Sequence, residues 1–220
     1  MKKTMIVRFC VVALCLVSPI GFAKVLAVWD FGSSSAFYTT EPASYALSAK
    51  PTLVMTGGDI DANGKNGVDF TDADGVFHVA GQGAAWDDIN KSGSDNDAAC
   101  TITMNTTGWQ LQGLRWDYKS EKATSYDLDY RLSETATWIQ LLDNQPITAD
   151  NLFHMVKIDL SPFAAMLSNQ PFVQILISDL DEGPGNDKYT FDNLQFTGIP
   201  EPASLSLLLL GAVMRLRRRR

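Results

Sequence analysis

Apolar and polar residues alternate along most of this chain with a period of two, which is the spacing of a β-strand that has one dry face. In the run 126–132, Tyr126, Leu128, Tyr130 and Leu132 fall on one face and Asp127, Asp129 and Arg131 on the other. Similar runs predict strands at 25–31, 52–56, 75–80, 100–104, 135–141, 153–160, 172–179 and 189–197. The stretch 109–118 changes phase at Gly113: Trp109 and Leu111 keep one register, Leu114, Trp116 and Tyr118 the other, so a bulge is expected there. Stretches rich in Gly, Asn and Asp at 57–67, 90–97 and 181–187 read as turns. A single helical hint lies at 161–168, with Ser161 as N-cap, Pro162 in the first position, and Phe163, Met166 and Leu167 on one side. Nine or ten strands with almost no helix predict an all-β fold, a two-sheet antiparallel β-sandwich of the jelly-roll kind.

The pattern breaks at both ends. Lys2, Lys3 and Arg8 precede an apolar run reaching Ile20, and Gly21-Phe22-Ala23 supplies small residues for a cut after Ala23, so 1–23 reads as an export signal peptide. At the other end, Pro200-Glu201-Pro202 is followed by the apolar stretch 203–214 and then Arg215 and Arg217, Arg218, Arg219 and Arg220. As a helix, 12 residues span about 18 Å at ~1.5 Å each, against a bilayer core of about 30 Å. The segment is a poor permanent anchor, and the arginines, whose heads reach anionic lipid, hold it at the cytoplasmic side.

This three-part order resembles the PEP-CTERM sorting signal of exported bacterial proteins. The resemblance implies recognition by a membrane protease-transpeptidase of the exosortase type, which removes the tail and passes the protein to the cell surface or matrix. The expected organisation is a signal peptide at 1–23, a β-sandwich domain at 24–198 and a sorting signal at 199–220, engaging the membrane through its short hydrophobic helix.

Charge sharpens the picture of the body. Three of the 18 Lys and Arg precede Lys24 and five follow Gly198, leaving 10, whereas 24 of the 25 acids lie between, so the body carries about −14. No basic stripe is available for nucleic acid. Cys10 and Cys15 leave with the signal peptide, so Cys100 stands alone and no internal disulfide is expected. His78 and His154 sit far apart in alternating runs, no nucleophile, zinc or phosphate-loop motif occurs, and the body's glutamates, Glu41, Glu121, Glu134 and Glu182, are scattered. A non-enzymatic surface or matrix component is the expectation, with a carbohydrate-binding protein second and a polysaccharide-degrading hydrolase third.

The order of pieces in the body also loosely resembles lectin-like and carbohydrate-binding-module jelly rolls, through 28–31 opening the first strand, 158–161 before a short helix, and 189–198 as the last strand. That resemblance implies a structural calcium held by Asp30 and Asp192, with Asn193 as helper. A second candidate metal site is the loop Asp59, Asp61, Asn63 and Gly64, which places oxygens at positions 1, 3 and 5 of a calcium loop but has Phe70 where the bidentate glutamate belongs; Asp69, Asp72 and Asp74 stand close enough to substitute. For a polysaccharide, flat aromatic faces are needed, and Trp138 near a turn and Trp86 beside two aspartates are the surface candidates.

Overall fold

The last strand of the chain changes partner halfway along, and this change organises one whole side of the molecule. The structure is a computed structural model that describes residues 23–29, 31, 47, 49–57, 60–72, 74–78, 82–86, 98–180 and 188–201. Its strands are β1 (Lys24–Trp29), β2 (Thr52–Thr56), β3 (Ile60–Asn66), β4 (Phe70–Thr71), β5 (Phe77–His78), β6 (Gln82–Trp86), β7 (Ala99–Met104), β8 (Trp109–Ser120), β9 (Ser125–Arg131), β10 (Ile139–Pro146), β11 (Phe153–Asp159), β12 (Val173–Ser178) and β13 (Tyr189–Pro200). Residues 23–199 form one compact unit.

The ladders are nested. β9 pairs with β10, β8 with β11, β7 with β12 and β6 with β13, all antiparallel, so the chain from β6 to β13 folds back on itself as one doubled ribbon. Rolled up, the ribbon gives two sheets, in the orders β11-β8-β13-β6-β3 and β10-β9-β12-β7-β2. This is a jelly roll, the expected all-β antiparallel sandwich, with β2 and β3 extending the two edges. The first sheet supplies most of the aromatic core: Tyr118 stacks on Tyr189 at 5.7 Å, Trp86 meets Phe191 edge-on at 5.7 Å, and Trp116 lies edge-on to Tyr126 of β9, in the other sheet, at 5.1 Å. The other sheet packs Ile102, Leu128, Ile175 and Ile177 against it. Cys100 is buried there as a free thiol, and burial pushes its pKa up, so it packs as a small apolar side chain.

Along β13, Tyr189–Phe191 pair with β6 and Leu194–Gly198 with β1. The two intervening residues form the irregularity. Asn193 adopts a left-handed backbone, φ 50°, a conformation asparagine tolerates better than most residues. The fully buried Asp192 carboxylate accepts the N–H of Asn193 at 2.9 Å and the N–H of Val68 at 2.7 Å. Asn193 in turn donates from Nδ2 to Val68 O at 2.9 Å and to Asp117 Oδ2 at 2.8 Å. The segment carrying Val68 continues into the β4–β5 hairpin, which lies over the outer face of this sheet. Its Phe70 makes a small second core with Val25 and Val28, and the Arg115 guanidinium sits 5.1 Å from the Phe70 ring centroid.

Several expectations need correction. The run 135–141 is not a strand at its start; the pairing segment begins at Ile139, after a turn. Of the strand expected at 75–80, Gly75 and Val76 lie in the turn before β5 and Phe77–His78 pair with β4, while 79–80 lie outside the described residues. Residues 60–66, read as part of a turn, pair with β6, and the residues Gln82–Trp86 form a strand that the alternation did not show. The phase change at Gly113 is present: Leu111 and Leu114 both point into the core, and a Cβ on Gly113 would stand 3.0 Å from Thr197 Oγ1. The helical hint becomes a 3₁₀ turn, Ser161–Phe163, running into a one-turn helix α1, Ala164–Leu167. Ser161 does not cap it; the Asp159 carboxylate accepts the Ser161 N–H at 2.9 Å instead.

Replacing Asp192 by Ala leaves two backbone donors without their acceptor, at about 1–3 kcal/mol for each buried one. Thermal melts should place Asp192→Ala roughly 3 kcal/mol below the parent, with Asp192→Asn between them, because an amide oxygen can still accept one of the two. Equal melting of all three proteins would show that the partner change on β13 does not depend on this carboxylate.

Candidate functional site

On the second sheet the residues pointing away from the core line up across strands. Register places Thr103 opposite Gln174 and Gln174 opposite Arg131, with Thr52 beyond Thr103 at the β2 edge. The next row runs Val54, Thr101, Leu176, Asp129 and Gln140. Period-two alternation puts all of these on the outer face, so the face is a largely polar grid with two branched apolar residues, Leu176 in its middle and the exposed Val54 at its β2 edge.

The first row is tied together side chain to side chain. Arg131 Nε donates to Gln174 Oε1 at 2.6 Å, and Gln174 Nε2 donates to Thr103 Oγ1 at 2.8 Å. At the other end the Arg131 guanidinium lies 4.3 Å from the centroid of the Trp138 ring. Trp138 sits in the turn before β10, half-buried. From β10 to β7 the row crosses four strands, about 14 Å at ~4.8 Å per strand spacing. Gln174 faces outward yet is only 8% exposed, while its row neighbours Thr103 and Arg131 are half-buried.

Carboxylates flank the row. Asp127 accepts Asn144 N–H at 2.7 Å and the Gln140 side-chain amide at 3.1 Å. Desolvation by its neighbours, and then the Asp127 charge two residues away, raise the Asp129 pKa. Aromatic ring, guanidinium, amide, hydroxyl and carboxylates thus share one strip, an arrangement that can pack against a flat apolar ring face and exchange hydrogen bonds with hydroxyl groups around it.

The other residues singled out in the sequence fall elsewhere. Trp86 is fully buried: as the last residue of β6 it faces inward against Tyr189 and Phe191, and its indole N–H donates to Thr56 O at 3.1 Å. The two aspartates that follow it suggested exposure, but the strand's pairing with β13 decides the direction, and Trp86 offers no face to a ligand. Asp30 and Asp59 lie outside the described residues, and of Asp61 and Asn63 only the backbone, in β3, is described. Asp72 accepts the N–H groups of Asp74 and Val76, and Asp74 accepts that of Val25, so these two acids serve the hairpin and its attachment. Calcium takes six to eight oxygens. Among the described residues no group of three His, Cys, Asp or Glu side chains comes together, and Asp192 with Asn193 does not by itself make such a shell. Pro200 ends β13 and Glu201 follows it, while Pro202, Arg215, Arg217, Arg218, Arg219 and Arg220 lie outside the described residues. No described helix is long and apolar enough to cross a membrane.

No protein-family model matches the chain, and no curated protein matches it. Solved structures do. A variant of a family 29 carbohydrate-binding module is 15% identical, with a TM-score of 0.43, over 80% of this chain and 92% of that one. Another variant, complexed with mannohexaose, is 15% identical with a TM-score of 0.33, over 68% and 93%. The module TmCBM61, in complex with β-1,4-galactotriose, is 6% identical with a TM-score of 0.34, over 66% and 86%. The jelly-roll assignment rests on the nested ladders, and no residue's role is carried across from these structures.

Of the chain's five tryptophans, Trp29, Trp86 and Trp116 are fully buried and Trp109 is 8% exposed, leaving Trp138 as the accessible one. Acrylamide should therefore quench a minor, red-shifted part of the emission, and Trp138→Phe should remove that part without shifting the melt. Quenching unchanged in the variant would place the accessible ring elsewhere.

Proposed function

We propose that the chain is an exported, non-catalytic carbohydrate-binding protein, carried to the cell envelope or matrix by its C-terminal signal, and that it holds a polysaccharide along the outer face of the β10-β9-β12-β7-β2 sheet. The observation that supports the binding reading is the row Trp138, Arg131, Gln174 and Thr103, held in fixed positions by the hydrogen bonds and ring contact between its members. A sugar ring has a C–H face and a hydroxyl rim. Trp138 meets the first; Arg131, Gln174, Asp129 and Asp127 meet the second. Because the row is already ordered, little side-chain entropy remains to be lost on binding. The row carries no paired acid and base aimed at a common point and no nucleophile beside a base, which favours holding over cleaving. The similar solved structures include modules complexed with mannohexaose and β-1,4-galactotriose; for this chain the reading rests on the row.

Affinity electrophoresis through gels cast with soluble glucans, mannans and galactans tests the binding directly. The protein should be retarded in at least one gel, and Trp138→Ala should weaken retention by roughly thirtyfold, the equivalent of a central aromatic contact of about 2 kcal/mol. Arg131→Ala should act in the same direction, since it removes both a hydroxyl partner and the support of the ring. Mobility unchanged in every gel, or retention indifferent to both substitutions, would overturn the assignment of this face.

The export reading rests on the two terminal signals and has its own test. In the producing cell, the protein should be found in the envelope or outside it, shortened at Ala23 and within 199–220, and substitution of Pro200-Glu201-Pro202 by alanines should leave the tail uncut. Full-length protein in the cytosol would sink it.

A further inference from the structure

The sheet opposite the row carries a cavity of about 550 Å³ on its outer side, floored by β11, β8 and β13. Gln112, Arg115, Lys157, Asp159, Gln195 and Thr197 line it, all from outward-facing positions. Gln195 is 0% exposed, and neither its Oε1 nor its Nε2 has a hydrogen-bond partner. A buried amide left with both ends unpaired costs about 1–3 kcal/mol per group, so folded proteins rarely keep one without a use. Arg115 Nε is likewise buried and unpartnered.

Charge adds a second anomaly. Lys157 and Arg115 stand directly opposite each other in the β11–β8 ladder. Like charges in directly opposed positions repel, and both project into the same cavity. One acid, Asp159, also lines the cavity; its carboxylate accepts Ser161 N–H and its pKa is lowered by its bonds to Ser161, so it stays charged. Asp117, which accepts a hydrogen bond from Asn193 Nδ2, feels the Arg115 charge from beside the cavity, leaving the lining with two cations against one carboxylate. In a body of strongly negative net charge, two cations have thus been set side by side over a buried amide.

We propose that this cavity is a second binding site, distinct from the row on the other sheet, and that it takes a carboxylate-bearing sugar, a uronic-acid unit. The chemistry selects the class in two steps. Two adjacent cations call for an anion. An amide that lacks both a donor and an acceptor calls for a group offering both, which a hydroxyl does and a carboxylate, sulfate or phosphate oxygen does not. A uronate presents the carboxylate to Arg115 and Lys157 and its ring hydroxyls to Gln195, Thr197 and Gln112. The volume is that of a small-molecule site, larger than an inorganic anion needs.

The test is calorimetric titration of the full chain, in a polyoxyethylene-ether detergent, with trigalacturonate, its neutral methyl ester and inorganic sulfate. Trigalacturonate should bind, the ester should bind at least about tenfold more weakly, and sulfate should neither bind comparably nor compete. Lys157→Gln should weaken trigalacturonate about tenfold. Gln195→Leu should abolish measurable binding while melting no lower than the parent, since it removes an unsatisfied amide and keeps the volume. Trp138→Ala should leave this titration unchanged. No heat from trigalacturonate at millimolar concentration, an ester as tight as the acid, sulfate as tight as trigalacturonate, undiminished binding by Gln195→Leu, or loss of binding in Trp138→Ala would each overturn the proposal. Retention in neutral-polysaccharide gels reads the other sheet, so the two assignments fail separately.

Discussion

An antiparallel strand that serves two partners on the same side must absorb a mismatch between their registers, and in β13 that mismatch falls on Asp192 and Asn193. If the strand ran regularly from Tyr189 to Pro200, the inward set after the junction would be the opposite one. Gln195 and Thr197 would enter the core, and Leu194 and Phe196 would face out. The left-handed backbone at Asn193 takes up the extra residue, and the Asp192 carboxylate receives the backbone donors that the irregularity would otherwise strand. Tyr189 and Phe191 on one side of the junction and Leu194 and Phe196 on the other therefore all reach the same core. The junction also fastens Val68 to the sheet, and with it the hairpin whose Phe70 covers Val25 and Val28.

How much of this was legible in the sequence follows from the range of the interactions involved. Strands such as 126–132 and 52–56 announce themselves because burial on one face leaves a period of two, a purely local signal. The same reasoning found the phase change at Gly113. It failed at 60–66, where Asp, Asn and Gly are the residues of a turn and only the edge of β6 makes them a strand. It failed at Trp86 for the same reason, since a neighbouring pair of aspartates says nothing about which way a strand end faces. Ser161 reads as the cap of the short helical turn because it precedes a proline there, but the turn starts from Leu160 without a side-chain cap, and the Asp159 carboxylate takes the Ser161 N–H.

The binding row was least legible of all. Arg131 and Gln174 are 43 residues apart, and Gln174 and Thr103 are 71 apart. Nothing near any of them marks it as part of a set. Trp138 could be singled out, as an aromatic residue beside a turn, but its partner Arg131 comes from the preceding strand and is aligned with Gln174 only by the β9–β12 register. Nested ladders bring residues from distant parts of the chain into one line, which is why a jelly roll can build an extended face from residues that carry no motif.

The two outer faces differ in how their polar groups are satisfied, and that difference bears on what each can do. On the β9–β12 face every bond of the row is made within the protein, so the strip is rigid and a ligand must add contacts around an existing frame: a ring face at Trp138, hydroxyls at the remaining lone pairs and at Asp129. Affinity there is bounded by how much exposed area and how many spare acceptors the frame leaves. Beneath the cavity on the β8–β13 face, an amide and a guanidinium nitrogen are held dry without partners, so the folded chain already bears the desolvation cost that binding normally imposes. A ligand that supplies those partners recovers that cost, whereas one that merely fills the space does not. Selectivity should therefore be sharper in the cavity than along the row, because a site built around unmet hydrogen bonds rejects ligands that leave them unmet.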